Sequence, residues 1–212
     1  MQSPMVAQSI IKPEHFKNKV LIINGWEGCG KTCISNILKA IKGSELMKFS
    51  TEFEYICDLW KTKNLTSQAA ETTLRSIADL IIYNLFQSRE INFRPSDISS
   101  VFNNPNWAKY LRRLYSKGGK YCEKLITEKS VLHLVTHNLY HSKELLNKSF
   151  GNRLIFIEVA RDPIYMLKQL KYNQETLYTL KKNPRQLNLL YKKYIVKAYD
   201  NNFIIKYLYI NT

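Results

Sequence analysis

The strongest constraint on this chain's fold is a glycine-rich turn that joins an apolar run to a periodic segment. The run, residues 20–24, is apolar up to its last position, as in a strand that is buried on both faces. The turn, residues 25–32, reads GWEGCGKT and fits the pattern G-x-x-x-x-G-K-[ST] at every position. The sequence therefore predicts a strand, a sharp turn and a helix in direct succession. The predicted buried face of the helix consists of Ile34, Ile37, Leu38 and Ile41.

The turn has the residues of a phosphate-binding loop. Its glycines permit positive φ angles and a close approach of the backbone, so several amide N–H groups can point at one anion beside the helix N-terminus. We expect Lys31 to reach the terminal phosphates of a nucleotide, and Thr32 to bind a magnesium ion that bridges them. Cys29 is interpreted either as an oxidisable thiol or as a small residue that fills space. The residues predicted to line the nucleotide are Gly25, Trp26, Glu27, Gly28, Cys29, Gly30, Lys31, Thr32 and Cys33.

Length and composition are those of one globular domain. The chain has 212 residues, of which 45% are hydrophobic, and this is enough to bury a core. No stretch approaches the ~20 apolar residues of a membrane span, and residues 1–12 lack the pattern of a signal peptide. We therefore expect a cytoplasmic protein with no membrane partner. The four cysteines are too scattered to predict a disulfide framework.

The net charge of +15 has two interpretations. A basic surface can bind nucleic acid through counterion release. The lysines are dispersed along the chain, however, and none of the motifs of nucleic-acid-binding proteins is found, so nucleic acid is not the predicted partner. A positive field would also suit an enzyme whose ligands are polyanions.

Two further apolar runs predict strands that end beside candidate site residues. Residues 131–135 lead to His137 and Asn138, and residues 154–159 lead to Arg161. Ligands collect at the carboxyl ends of strands in open α/β sheets, so these positions suit site residues. We expect His137 to act as a general base or acid and Asn138 to contact the substrate. Arg161 either contacts a ligand phosphate or forms a surface ion pair.

Three carboxylates near predicted strand ends are also candidates. Glu158 interrupts an apolar run, and it either pairs with a cation or holds magnesium through water. Glu52 or Glu54 follows a short second strand near residues 46–49 and can serve as the general base for an acceptor hydroxyl. We take Glu52 as the candidate; the alternative is an ordinary surface carboxylate.

The polar passage 88–100 carries Arg89 and Arg94. Two arginines on one loop can clamp a substrate anion, which makes them candidate substrate-binding residues. The alternative is a linker between helices. The passage lies within residues 66–119, where the sequence predicts a helical insertion. The first helix of that insertion has a predicted buried stripe of Leu74, Ile77, Ala78, Ile81, Ile82, Leu85 and Phe86.

The last part of the chain is densely basic. A pair of helices between residues 168 and 197 would either close over phosphates as a mobile lid or present a solvated basic face. Residues 187–198 predict an amphipathic helix, and residues 203–210 predict a last strand. A parallel sheet normally covers its last strand with a helix, so we expect the sequence to be a truncated fragment.

Two segments resemble those of the P-loop superfamily of nucleoside triphosphate-binding proteins, in the branch that contains small-molecule kinases and sulfotransferases. GWEGCGKT resembles the kinase form of the loop. LIFIEVARDPIYML, residues 154–167, resembles the sulfotransferase segment in which an arginine contacts the 3′-phosphate of the sulfuryl donor. Sulfotransferases usually carry Thr or Ser where this chain has Lys31, and Ser where it has Gln169. The resemblance therefore implies a nucleoside triphosphate with magnesium.

Together these features predict a single α/β domain over residues 1–212, with three layers and a mostly parallel sheet centred on the strand of residues 20–24. The expected function is phosphoryl transfer from ATP or GTP with magnesium to a small acceptor. Lys31 and Arg161 would stabilise charge, and His137 or Glu52 would accept the proton. One alternative is sulfuryl transfer from 3′-phosphoadenosine 5′-phosphosulfate. Another is a non-catalytic nucleotide-binding or switch protein.

Overall fold

The computed structural model describes residues 10–13, 16–117, 123, 127–176, 187–191 and 194–198. Strands and helices alternate along much of this part of the chain, as in an α/β protein. In chain order the elements are β1 (Lys19–Asn24), α1 (Lys31–Leu38), β2 (Lys48–Phe49), α2 (Thr51–Lys61), α3 (Ser67–Phe86), α4 (Trp107–Leu114), β3 (Val131–Val135), α5 (Lys143–Phe150), β4 (Leu154–Glu158), α6 (Pro163–Thr176), β5 (Leu187–Tyr191) and β6 (Tyr194–Ala198). Short 3-10 helices span Val101–Asn103, Tyr140–Ser142 and Gly151–Arg153.

The first four strands form one sheet in the order β2-β3-β1-β4. Every neighbouring pair in it is parallel. β1 is a central strand, because Ile22 lies opposite Leu134 of β3 on one side and Phe156 of β4 on the other. The prediction of an α/β fold with a parallel sheet is confirmed.

Both faces of β1 are covered, which explains its continuous apolar sequence. Val20 and Ile22 belong to a core cluster with buried residues of α2, α3 and α5. Leu21 and Ile23 point to the opposite face and pack with apolar residues of α1 and α6. Helices therefore lie on each side of the sheet.

The connections that follow β1 and β3 diverge. After β1 the chain crosses one face through α1 to reach β2 at the edge, and after β3 it crosses the other face through α5 to reach β4. Neighbouring strands whose connections leave in opposite directions form a crevice at their carboxyl ends. The turn after β1 lies at this topological switch point.

The predicted buried face of α1 is confirmed for Ile34 and Leu38, which pack against the cluster that contains Leu21 and Ile23, and is wrong for the other two residues. Ile37 is 72% exposed, and Ile41 lies beyond the end of the helix and is 48% exposed. The most buried residues of the helix are Lys31 and Ser35, which lie on one face because they are four positions apart. Ile37 is two positions after Ser35 and therefore lies on the opposite side of the helix, where it faces outward.

α3 agrees with its prediction at the N-terminus and along its buried stripe. The hydroxyl of Thr66 accepts a hydrogen bond from the Ala69 N–H at 3.3 Å and caps the helix. None of the helices in the described residues, α3 included, combines the length and apolar character that a membrane crossing requires. The predicted stripe residues that are fully buried are Leu74, Ala78, Ile82, Leu85 and Phe86.

Residues 187–198 do not form the predicted helix. β5 and β6 instead pair antiparallel, with Leu189 opposite Val196. The segment is rich in aromatic and β-branched residues, which favour strands, and its apolar residues fit an alternating pattern as well as a helical one. The strand predicted at residues 203–210 and the basic residues at 181–185 and 192–193 lie outside the described residues.

Candidate functional site

Residues 25–30, which we call the glycine loop, connect β1 to α1 at the carboxyl edge of the sheet. Gly25 has φ +151°, and a Cβ added there would lie 2.3 Å from the carbonyl oxygen of Val159. Gly28 has φ +80°, and a Cβ there would lie 2.5 Å from Cγ of Gln169 on α6. Glycine is therefore required at both positions, because the chain that follows β4 packs directly against the loop.

The glycine loop and the first residues of α1 leave several amide donors unoccupied. Gly28 and Gly30 have positive φ angles, and α1 begins at Lys31. Such amides, beside the positive end of a helix dipole, form a binding site for an anion. Within the described residues, no hydrogen bond is donated by the backbone N–H groups of Gly28, Gly30, Lys31 and Thr32.

The side chain of Lys31 turns into the glycine loop. It is only 6% exposed, and its Nζ donates hydrogen bonds to the carbonyl oxygens of Gly25 and, at 2.9 Å, of Trp26. Burial lowers the pKa of the Lys31 ammonium, and nearby acidic groups, Glu27 first and then Glu54 and Glu158, offset only part of that effect. A phosphate oxygen would be a stronger partner for this ammonium than a neutral carbonyl.

The side chain of Asn24 connects the carboxyl ends of three strands. Its Oδ1 accepts hydrogen bonds from the Thr136 hydroxyl at 3.0 Å and from the Leu139 N–H at 2.8 Å. Its Nδ2 donates to Oε2 of Glu158 at 2.8 Å. Asn24 is 1% exposed, so these buried hydrogen bonds hold the carboxyl ends of the three strands in fixed positions beside the crevice. Sequence reasoning missed this role, although an amide at the end of an otherwise apolar strand was the available signal.

His137 and Glu54 form a hydrogen-bonded pair beside the glycine loop. Oε1 of Glu54 accepts from the backbone N–H of His137 at 2.6 Å and lies 3.1 Å from its Nδ1. The geometry selects the tautomer in which Nδ1 carries the proton, and Nε2 is then an acceptor. In the described part of the chain Nε2 has no hydrogen-bond partner. Glu54, rather than the predicted Glu52, is thus the carboxylate coupled to a candidate base.

Arg161 lies where the sequence predicted it, after β4 and next to the glycine loop. Its guanidinium is exposed, lies 3.5 Å from the carbonyl oxygen of Gly28, and stacks over the ring of Tyr165 at 5.2 Å. The α6 helix begins as expected, because Oδ1 of Asp162 accepts from the Ile164 N–H at 2.8 Å. The arginine can therefore reach an anion held by the loop.

Two predicted magnesium ligands, Thr32 and Glu158, lie on either side of the loop. Thr32 is the second residue of α1, and its hydroxyl forms no hydrogen bond to the described residues. Glu158 is exposed at the end of β4 and accepts the hydrogen bond from Asn24. The described residues contain no group of three or more His, Cys, Asp or Glu side chains suited to a metal. A divalent ion here would therefore need oxygen ligands from a bound phosphate.

The variable residues of the loop differ in exposure. Trp26 and Glu27 are partly exposed, and Cys33 is exposed on α1. Cys29 is buried, and its Sγ lies 2.8 Å from where a Cβ on Gly25 would stand. Its packing agrees with the interpretation of Cys29 as a residue that fills space.

The predicted substrate-binding residues are not brought together. Asn138 is buried beside the rim. Arg89 stacks over Tyr83 at 5.4 Å, and the side chain of Arg94 is 77% exposed and lies 3.8 Å from Asp97. Neither arginine forms a hydrogen bond or ion pair with the glycine loop in the described structure. The contacts of Arg89 and Arg94 in the described structure are thus with residues nearby in the sequence.

The comparisons with known proteins add no further assignment. No family model matches this chain, and neither the curated proteins nor the solved structures yield a match.

Proposed function

We propose that this protein is a nucleotide-dependent phosphotransferase of the P-loop type that acts on a small acceptor. The observation that carries the proposal is the set of unoccupied amide donors around the buried ammonium of Lys31, at the switch point of a parallel sheet. A ligand for this site needs several anionic oxygens close together, and the polyphosphate of a nucleotide has them. The loop amides and Lys31 would bind the terminal phosphates.

Magnesium is the metal that a bound nucleotide would bring to this site. The hydroxyl of Thr32, which has no hydrogen bond to the described residues, fits direct coordination, and the exposed carboxylate of Glu158, oriented by Asn24, fits coordination through water. Bound there, the ion would neutralise charge on the phosphates.

The pair formed by His137 and Glu54 supplies the general base. Nε2 of His137 would accept the proton of the acceptor hydroxyl as its oxygen bonds to the terminal phosphorus and the bond to the bridging oxygen breaks. The products are the phosphorylated acceptor and a nucleoside diphosphate. Glu54 holds the imidazole in the required tautomer and stabilises its protonated form, in the way that a buried carboxylate assists a catalytic histidine.

One observation favours sulfuryl transfer as the second candidate. Arg161 stands beside Gly28 at the tip of β4, the position at which the resembled segment holds the donor's 3′-phosphate. Against this, Gln169 rather than a hydroxyl residue packs on Gly28. The choice between the two donors depends on whether magnesium is required.

The test is an equilibrium titration of the purified chain with ATP and GTP, each with magnesium, and with 3′-phosphoadenosine 5′-phosphosulfate without it. We expect micromolar binding of one triphosphate and at least a tenfold loss in Lys31→Met, because the variant removes the phosphate's cation, worth roughly 1.5–3 kcal/mol. Lys42→Met, at an exposed lysine after the end of α1, is the matched control. Preference for the sulfuryl donor would select the second candidate. Binding without transfer to any acceptor would indicate a non-catalytic protein.

A further inference from the structure

A cavity of about 440 Å³ lies beside the outer edge of β2, between this strand and α3. Its walls are largely apolar, with Phe49 on the strand side and Ile77 and Ile81 on the helix side. This volume lies in the range of small-molecule sites, ~300–1,000 Å³. The cavity can therefore hold a molecule with a compact apolar body.

The charges of the cavity do not balance. Lys48 is paired with Glu90, which also accepts a hydrogen bond from Asn84 at 2.6 Å. The hydrogen bond from Lys48 lowers the pKa of the Glu90 carboxyl, in agreement with an ionised pair. Glu52, the remaining charged residue of the lining, accepts only the hydroxyl of Ser50, at 3.1 Å, within the described structure. The cavity thus carries one uncompensated negative charge in a protein whose net charge is +15.

Phe49 belongs both to this cavity and to the proposed catalytic pair. Its ring stacks on the imidazole of His137 with a centroid separation of 6.4 Å and an interplanar angle of 13°. Phe49 is also 43% exposed, so it is not enclosed by the core. His137 does not line the cavity, so an acceptor bound there would have to extend its hydroxyl past the edge of the Phe49 ring to reach Nε2 of His137.

We infer that this cavity binds the acceptor, and that the acceptor is a small alcohol with an apolar body and a cationic amino group that pairs with Glu52. The inference rests on the proposed phosphotransferase function. It gives Glu52 a role different from the base predicted from the sequence: the carboxylate selects the acceptor by charge, and His137 removes the proton. Glu52 is exposed, so an amino group would add a surface ion pair to the apolar contacts of the cavity, whereas a neutral or anionic alcohol would not.

The experiment uses a series of primary amino alcohols of two to nine carbons, including phenylalaninol, each matched with the neutral alcohol that lacks the amine. Binding to the full chain is measured by calorimetry, with and without magnesium nucleotide. We expect at least one amino alcohol to bind about two- to fivefold more tightly than its neutral counterpart, as an exposed ion pair would produce. Glu52→Gln should remove that preference, whereas Glu128→Gln, an exposed carboxylate before β3, should keep it.

A second variant tests the location. Ile81→Trp fills the cavity from α3 and should weaken the amino alcohols, whereas Leu59→Trp, at an exposed site on α2, should not. The inference is overturned if no amino alcohol binds more tightly than its neutral counterpart, or if Glu52→Gln leaves the preference unchanged. Nucleotide binding to the same samples is measured separately, so a loss of the Lys31-dependent nucleotide site is distinguished from a wrong acceptor class.

Discussion

His133 is a buried imidazole in a layer of apolar side chains, and its position makes it sensitive to acid. It is 0% exposed on β3, and its Nε2 lies 2.9 Å from the hydroxyl of Ser35 on α1. Burial, assisted by the charge of Lys39, lowers the pKa of His133 to about 4 from the ordinary 6.5. The imidazole of His133 is therefore neutral in the folded protein at pH 7, and its protonation favours unfolding.

We predict that His133 contributes stability that is fully present above pH 6.5 and is lost as the pH falls through about 4. The pKa difference corresponds to roughly 3 kcal/mol. Urea denaturation between pH 7 and pH 4 should show a shallower loss of the free energy of unfolding in His133→Leu than in the natural chain. Equal slopes for the two proteins would mean that the imidazole titrates normally in the fold.

Substitutions of Gly25 and Gly30 allow the cost of a steric clash to be compared with the cost of backbone strain in the same loop. A Cβ on Gly25 would meet the Val159 carbonyl, whereas no atom lies within 4 Å of a Cβ on Gly30, although φ is +101° there. We predict that Gly25→Ala lowers the free energy of unfolding by about 2–5 kcal/mol and Gly30→Ala by about 1–2 kcal/mol. Denaturation of both variants checks this. A Gly30→Ala effect as large as that of Gly25→Ala would contradict the close approach of Val159.

Sequence reasoning was most reliable for residues whose chemistry is local. Lys31 and Arg161 lie beside the same loop because strand ends in a parallel sheet meet at one edge. Asn24 and Glu54 were undervalued, since their importance comes from partners far along the chain, Leu139 and His137. The choice between Glu52 and Glu54 depended on the rotation of α2, which the spacing of charges alone does not determine.

At the scale of the elements, α4 is attached to the sheet by a buried ion pair. Glu45, just before β2, is 0% exposed and accepts hydrogen bonds from Arg113 at 2.8 and 3.1 Å. Burial alone would raise the pKa of the Glu45 carboxyl, but Arg113, with Lys109 at 3.0 Å and the Tyr110 hydroxyl, outweighs that effect, and the pKa lies below its ordinary value. The Tyr110 hydroxyl donates to the same carboxylate at 2.8 Å.

We predict that Glu45→Gln lowers the free energy of unfolding by about 3–5 kcal/mol, because a buried guanidinium loses its counter-charge. Adding Arg113→Leu to that variant should recover part of the loss, since it removes the isolated charge. Urea denaturation of the two single variants and the double variant measures the coupling. Strictly additive losses would show that the two side chains do not stabilise each other.

Secondary-structure elements were predicted well where the spacing of apolar residues fits only one type of element. The strands at residues 131–135 and 154–158 and helix α3 had long, unambiguous apolar patterns. The segment 187–198 fits both a helical and an alternating period, and the structure has the β5–β6 pair. In α1, the helix and the inward packing of Ile34 and Leu38 were predicted correctly, but Ile37 and Ile41 are exposed.

At the scale of the molecule, the strand order explains why the site lies where it does. β1 is flanked by β3 and β4, so the residues after all three strands converge on the glycine loop. Asn24 then fixes the spacing of those ends. The order of the strands could not be predicted from the sequence, because it depends on which strand edges pair. The location of the site at the carboxyl edge of the sheet could be predicted, because all parallel strands end at that edge.

The most direct measurement of the central claim is a heteronuclear NMR titration of the full chain with magnesium and ATP or GTP. The claim is that the unoccupied amides of the glycine loop and α1 receive the phosphates. We expect the largest shifts at the N–H resonances of Gly28, Gly30, Lys31 and Thr32, and their loss in Lys31→Met. Shifts confined to other surfaces, with these four resonances unchanged at saturating nucleotide, would contradict the account.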